Sequence, residues 1–327
     1  MSFRPVDMGK VNPEFEKALQ SRSGNEQPVT NVVEFRKIVE NEMRDSQCAS
    51  EPFCGFFEEI KISMPDGHQN SVEVFRPPIS TGEEPLIVWY HGGGFCLGDA
   101  KYDEAFCRKL CLDLNAVVIG VNYRLAPEFP FPVPINDCWD TLQWISSHSQ
   151  QLKANLKNGF ILSGSSAGGN ISAVLSLLAR DSKSVDITGV YIGVPIVVHP
   201  SVVPQRYQSL YRSYEENKNA PLLSTETFEL LIDAYSPDPL NPLYSPLLWP
   251  NGHRNLPRSY FQVCGLDPLR DDGIIYERVL REENGISTRI DMYPGVPHAF
   301  TGAFPELEIS KRFEHDMFSG FRWLLSI

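Results

Sequence analysis

Long apolar runs are missing from this 327-residue chain. The longest, about ten residues around 189–198 and interrupted by Pro195, falls short of the ~20 that span a bilayer. The N-terminal MSFRPVDMGK carries no apolar stretch of the secretory kind. Basic charge is also scarce. Lys and Arg number 29 against 41 Asp and Glu, a net charge of −12. A surface of that sign repels phosphate backbones and anionic membranes, which argues against nucleic-acid binding. No block of like charge suggests a disordered interaction tail, and no repeat of 20–50 residues appears. The seven cysteines, at 48, 54, 96, 107, 111, 138 and 264, are odd in number and show neither CxxC nor Cys/His zinc spacing. They read as buried small apolar residues in a reducing compartment. The expectation is a cytoplasmic globular protein with no metal site, no nucleic-acid partner and no integral membrane segment.

Hydrophobic residues make up 42% of the chain, enough for a large core. Residues 1–48 read as polar helices, with Phe15, Leu19, Val32, Phe35, Ile38 and Val39 at loose helical spacing. FFEEIKISM alternates, and the turn PDGHQ separates it from SVEVFRP, an expected antiparallel pair. LIVWY (86–90) and AVVIGVNY (116–123) are continuous apolar runs, the pattern of strands buried on both faces. Strands GFILSG (159–164), TGVYIGV (188–194), SYFQVCG (259–265) and STRIDMYPG (287–295) follow. They alternate with helices expected near 103–113, 135–148, 168–180, 271–284 and 306–325. This rhythm implies an α/β fold with a mostly parallel sheet and helices on both faces. Residues 200–255 break it with many prolines and one helical segment near 224–235, and read as an insertion. The expected division is N-terminal cap helices in 1–50, a core of 51–200 and 256–327, and an inserted cap region in 201–255.

Three serines stand close together in ILSGSSAGGNISAV. A nucleophile on a sharp strand-to-helix turn requires glycine two residues before and two after it. Only Ser166 qualifies, between Gly164 and Gly168, with an apolar strand before it and a helix after it. That helix N-terminus favours negative charge developing at the serine. His91-Gly92-Gly93-Gly94 directly follows LIVWY. Successive glycines let backbone N–H groups converge, and two of them with the N–H of Ala167 make an oxyanion hole. His91 reads as a residue that fixes this loop. A serine nucleophile requires a base and an orienting acid, which on such an elbow follow it in the chain. His298, in the loop YPGVPHAF after a strand, is the expected base, whereas His315 falls on the solvent side of the last helix. Asp267 follows SYFQVCG and is the expected acid. Asp271 and Asp272 read as ordinary stabilisers of a helix N-terminus.

With these segments in register the chain resembles the hormone-sensitive-lipase-like branch of the α/β-hydrolases, of carboxylesterase and arylacetamide deacetylase type. The matching segments are HGGGF (91–95), YRLAPE (123–128), GSSAGGN (164–170), GLDPLRDD (265–272) and PHAF (297–300). The resemblance implies an eight-stranded sheet with a helical cap and ester hydrolysis without a cofactor. It assigns Gly93, Gly94 and Ala167 as oxyanion donors beside the triad Ser166, Asp267 and His298. One departure stands out: the family usually has Asp or Glu immediately before the nucleophile, where this chain has Ser165. Cys96 reads either as pocket-lining or as packed. The expected substrate is a small to medium ester, and a homodimer is compatible with the sequence. Two further readings stand beside hydrolysis. The same triad serves acyl transfer or cyclisation in natural-product tailoring. A ligand receptor is the other, as in the plant gibberellin receptors, which resemble this family but lack the catalytic histidine present here.

Overall fold

The computed structural model describes residues 8–21, 30–46 and 53–326, so Cys48 and part of the 1–50 cap expectation lie outside it. Eight strands form one sheet in the order β1-β2-β4-β3-β5-β6-β7-β8. β1 (Phe56–Ser63) and β2 (Gln69–Arg76) are an antiparallel hairpin, and β2 is antiparallel to β4 (Val117–Val121). From β4 onward the sheet is parallel, through β3 (Leu86–Tyr90), β5 (Phe160–Ser165), β6 (Gly189–Gly193), β7 (Arg258–Cys264) and β8 (Thr288–Tyr293). β3, β4 and β6 are buried along their whole length, as continuous apolar runs demand when helices cover both faces.

Side chains alternate across the sheet. Leu86, Val88 and Tyr90 of β3 join the cluster under α4 (Val133–Ser147), α5 (Ala167–Ser182) and α8 (Arg270–Arg278). Ile87 and Trp89 join the opposite cluster, under α3 (Glu104–Leu114) and α10 (Glu308–Leu325). α10 lies so close on β7 that a Cβ at Gly320 would meet the Tyr260 ring at 2.0 Å.

Two details depart from the sequence reading. β1 alternates in burial only in its second half, where Ile60 is half-buried and Ile62 buried between exposed Glu59, Lys61 and Ser63, whereas Phe56, Phe57 and Glu58 are all exposed. The cause is position, because β1 is the sheet's outer strand and pairs with β2 alone. The helix expected over 271–284 ends as α-helix at Arg278 and continues as one π turn, Val279–Glu283.

The N-terminal helices diverge. α1 (Pro13–Ser21) buries Phe15 edge-on against Phe304, ring centroids 5.4 Å apart, on the α10 side. α2 (Val32–Ser46) instead meets α7 (Thr225–Tyr235) of the 200–255 excursion. That excursion also carries the short helix α6 (Ser213–Glu216), and the short α9 (Phe300–Ala303) follows β8. No described helix is long and apolar enough to cross a membrane.

Candidate active site

The turn between β5 and α5 is as tight as the glycine spacing requires. A Cβ at Gly164 would stand 2.4 Å from the Gly168 carbonyl carbon, and one at Gly168 would stand 1.9 Å from the Tyr90 carbonyl oxygen. Ser166 between them takes φ 58° and ψ −117°. A non-glycine residue held there stores about 1–3 kcal/mol of strain. Its N–H donates to the Gly193 carbonyl at 2.8 Å, which fixes the strained residue to β6. The other two serines point elsewhere. Ser163 is fully buried within β5 and donates to the Val88 carbonyl at 2.7 Å. Ser165 is the last residue of that strand and half-buried.

Three residues far apart in the chain meet at this turn. Ser166 Oγ lies 2.9 Å from His298 Nε2, and His298 Nδ1 lies 2.7 Å from Asp267 Oδ2. A carboxylate only accepts, so Nδ1 carries the proton and Nε2 is free to accept from the serine hydroxyl. Asp267 is fully buried and His298 nearly so. Asp267 Oδ1 accepts the N–H of Leu269 at 2.8 Å, which sets the carboxylate plane. His315 is remote by contrast, 81% exposed on α10.

The glycine loop runs beside the elbow. A Cβ at Gly92 would touch the Ser165 carbonyl oxygen at 3.1 Å and Ser166 Cβ at 3.5 Å. Gly93 and Gly94 take φ values of 111° and 58°, open to glycine and strained for other residues. His91 stacks on Tyr123, centroids 4.1 Å apart, and its Nδ1–H donates to the Gly92 carbonyl at 2.8 Å. Burial pushes its pKa down to about 4, so the ring is neutral at neutral pH. His91 is therefore a clamp on the loop. Cys96 is packed, its thiol buried and donating to the Leu231 carbonyl of α7 at 3.3 Å.

Elements outside the sheet close in on the same loop. A Cβ at Gly94 would stand 2.8 Å from Leu231 Cδ1. Phe95 stacks on Tyr235 of α7 at 4.0 Å. From α2, Arg36 donates to the Cys96 carbonyl at 2.7 Å and forms a bidentate pair with Glu128 at 2.8 and 2.9 Å.

Asp271 and Asp272 differ from the sequence reading. Both are buried and aim away from the helix they start. Asp271 accepts the N–H groups of Arg212 and Ser213, each at 2.7 Å. Asp272 accepts those of Val197 and Val198 at 2.9 and 3.2 Å. Burial pushes Asp272 up to about 7. Two asparagines went unseen in sequence. Asn217 donates to the carbonyls of Asp267 at 2.9 Å and Gly265 at 3.3 Å. Asn170 donates to the carbonyls of Ile196 and Tyr244 at 2.8 and 2.7 Å. Asn170 belongs to GSSAGGN, so its motif marked it, whereas nothing around Asn217 distinguishes it.

A family model described as alpha/beta hydrolase fold matches residues 87–302. The chain is 36% identical to an AB hydrolase superfamily protein of Schizosaccharomyces pombe, over 100% of this chain and 97% of that one. It is 30% identical to the versiconal hemiacetal acetate esterase of Dothistroma septosporum, over 83% of each. Among solved structures, vibralactone cyclase superposes with a TM-score of 0.92 at 31% identity, covering 99% of this chain and 97% of that one.

Proposed function

The chain belongs to the α/β-hydrolase fold family, in its hormone-sensitive-lipase-like, carboxylesterase-type branch, and we propose that it hydrolyses small to medium carboxylic esters through an acyl-enzyme on Ser166. The observation that carries this reading is the chain of hydrogen bonds from Ser166 through His298 to Asp267, at 2.9 and 2.7 Å.

Ser166 Oγ attacks the ester carbonyl as His298 Nε2 takes its proton. The oxygen that becomes negative is held by the N–H groups of Gly93, Gly94 and Ala167, each such donor worth about 3–4 kcal/mol in the transition state. His298 passes the proton to the leaving alkoxide, and the alcohol departs. Water then attacks the acyl carbon and gives its proton to His298. Ser166 regains that proton as the acid leaves. Asp267 holds Nδ1–H throughout and offsets the imidazolium charge. We assign the cap to 1–50 and 201–255, over a core of 51–200 and 256–327. Leu231 against Gly94 and Arg36 on the Cys96 carbonyl support this division.

Ser166→Ala is expected to lower kcat on a short-chain p-nitrophenyl ester about 10³-fold or more. It is also expected to abolish labelling by a fluorophosphonate. Retained activity in the variant would refute the nucleophile, and an unlabelled wild type would favour a receptor.

A second reading draws on the likeness to vibralactone cyclase. The acyl-enzyme is then intercepted by a nucleophile within the substrate instead of by water. Mass spectrometry of products from hydroxyl-bearing esters separates the two: hydrolysis adds the mass of water and cyclisation does not.

A further inference from the structure

β1 is an open edge. The hairpin turn sets which of its backbone groups face β2: Met64 N–H donates to the His68 carbonyl and Gly67 N–H to that of Met64. The register then pairs Ile62 with Asn70, Ile60 with Val72 and Glu58 with Val74. In an antiparallel ladder the bonded positions alternate. The N–H and C=O groups of Phe57, Glu59, Lys61 and Ser63 therefore point outward. Among the described residues no other strand meets them, because β1 pairs with β2 alone.

We propose that this edge pairs with the same edge of a second copy of this chain, antiparallel about a two-fold axis centred on Ile60. Charge selects both the occupant and the register. Two identical antiparallel strands keep their side chains on matching faces only when the axis passes through one residue. Centred on Glu59, the pairing sets two carboxylates opposite each other. Centred on Lys61, it opposes two ammonium groups. Centred on Ile60, it sets Glu59 of each protomer against Lys61 of its partner, twice by symmetry. Opposite charges directly across a ladder stabilise it and like charges destabilise it. Glu58, the other acidic residue, already pairs with Arg76 of its own hairpin. The same register sets Phe57, 46% exposed in the single chain, beside Ser63 of its partner and gives that exposed ring cover. The interface is isologous and closes at two subunits, and it joins the two sheets into one.

The test is a charge swap read by light scattering after size exclusion at micromolar concentration. The wild type is expected to be a dimer. Glu59→Lys and Lys61→Glu are each expected to weaken dimerisation about tenfold or more. When mixed, the two single variants are expected to pair with each other, because lysines at 59 and 61 then face glutamates at 61 and 59. The double swap is expected to restore the dimer. These exposed side chains lie outside the catalytic machinery, so ester hydrolysis and melting temperature serve as folding controls. A monomeric wild type would overturn the proposal. So would single variants that remain dimers, or that fail to pair when mixed.

Discussion

At the scale of single residues, the site turns on Ser165 and Gly94. Ser165 precedes the proposed nucleophile, at the position where the family resemblance leads one to expect a carboxylate. A negative charge there repels substrates that themselves carry negative charge. Ser165→Asp is therefore expected to lower kcat/KM severalfold for anionic esters relative to neutral ones of the same size. An unchanged ranking across an ester panel would make the substitution neutral. Gly94 is constrained twice, by φ 58° and by Leu231 at 2.8 Å from any added Cβ. Gly94→Ala is expected to lower kcat about 10²-fold by displacing an oxyanion donor. Adding Leu231→Ala removes the contact at 2.8 Å but leaves the Leu231 Cβ at 3.0 Å and the φ strain, so only part of the loss is expected to return. Steady-state kinetics on both variants gives the comparison. The site residues are legible in sequence because each sits at a strand end beside a motif: Ser166 in its glycine frame, Asp267 after β7, His298 after β8. Asn217 is not, because its role lies in a contact made across 50 residues with the Asp267 carbonyl.

At the scale of elements, the alternating strands and helices are legible because apolar runs and their period follow directly from burial. What escapes is exposure set by neighbours, as at β1, and the seating of irregular segments. The 200–255 excursion is held by buried hydrogen bonds that no periodicity encodes. Asp271 holds the start of α6, Asp272 holds 197–198, and Asn217 just past α6 reaches back to the acid loop. Asn217→Ala takes one donor from each of two buried carbonyls, which keep Arg270 as a partner, at a cost of about 0.5–1.5 kcal/mol per bond. It is expected to lower kcat about tenfold with KM little changed, because Asp267 loses its brace. A drop in melting temperature with kcat unchanged would show that the excursion does not steady the acid.

For the whole molecule, stability depends on pH through buried groups away from the site. Burial pushes Glu73 on β2 up to about 7, with Glu104 and Asp99 adding to the shift and Lys101 opposing it. Its usual value is 4.5, so the fold holds a proton that the unfolded chain releases. The stability it contributes is complete below about 4.5 and is lost as pH rises through about 7. Glu73→Gln is expected to stabilise the protein by about 1–2 kcal/mol at pH 8. The gain should vanish near pH 4.5 in thermal melts across that range. A gain independent of pH would place the effect elsewhere.

Arg36 has a consequence at this scale too. The two walls over the glycine loop are fastened by different physics. The 200–255 wall hangs mainly on buried hydrogen bonds, which dissolved salt screens little, beside the pair of the buried Arg270 with Glu216. On the α2 wall the Arg36 clasp includes an ion pair with Glu128, whose carboxylate is 48% exposed. Exposed ion pairs hold by about 1 kcal/mol or less and weaken as ions are added. The two walls are thus expected to respond differently to ionic strength. Added salt is expected to loosen the seating of α2 and to leave the opposite wall in place.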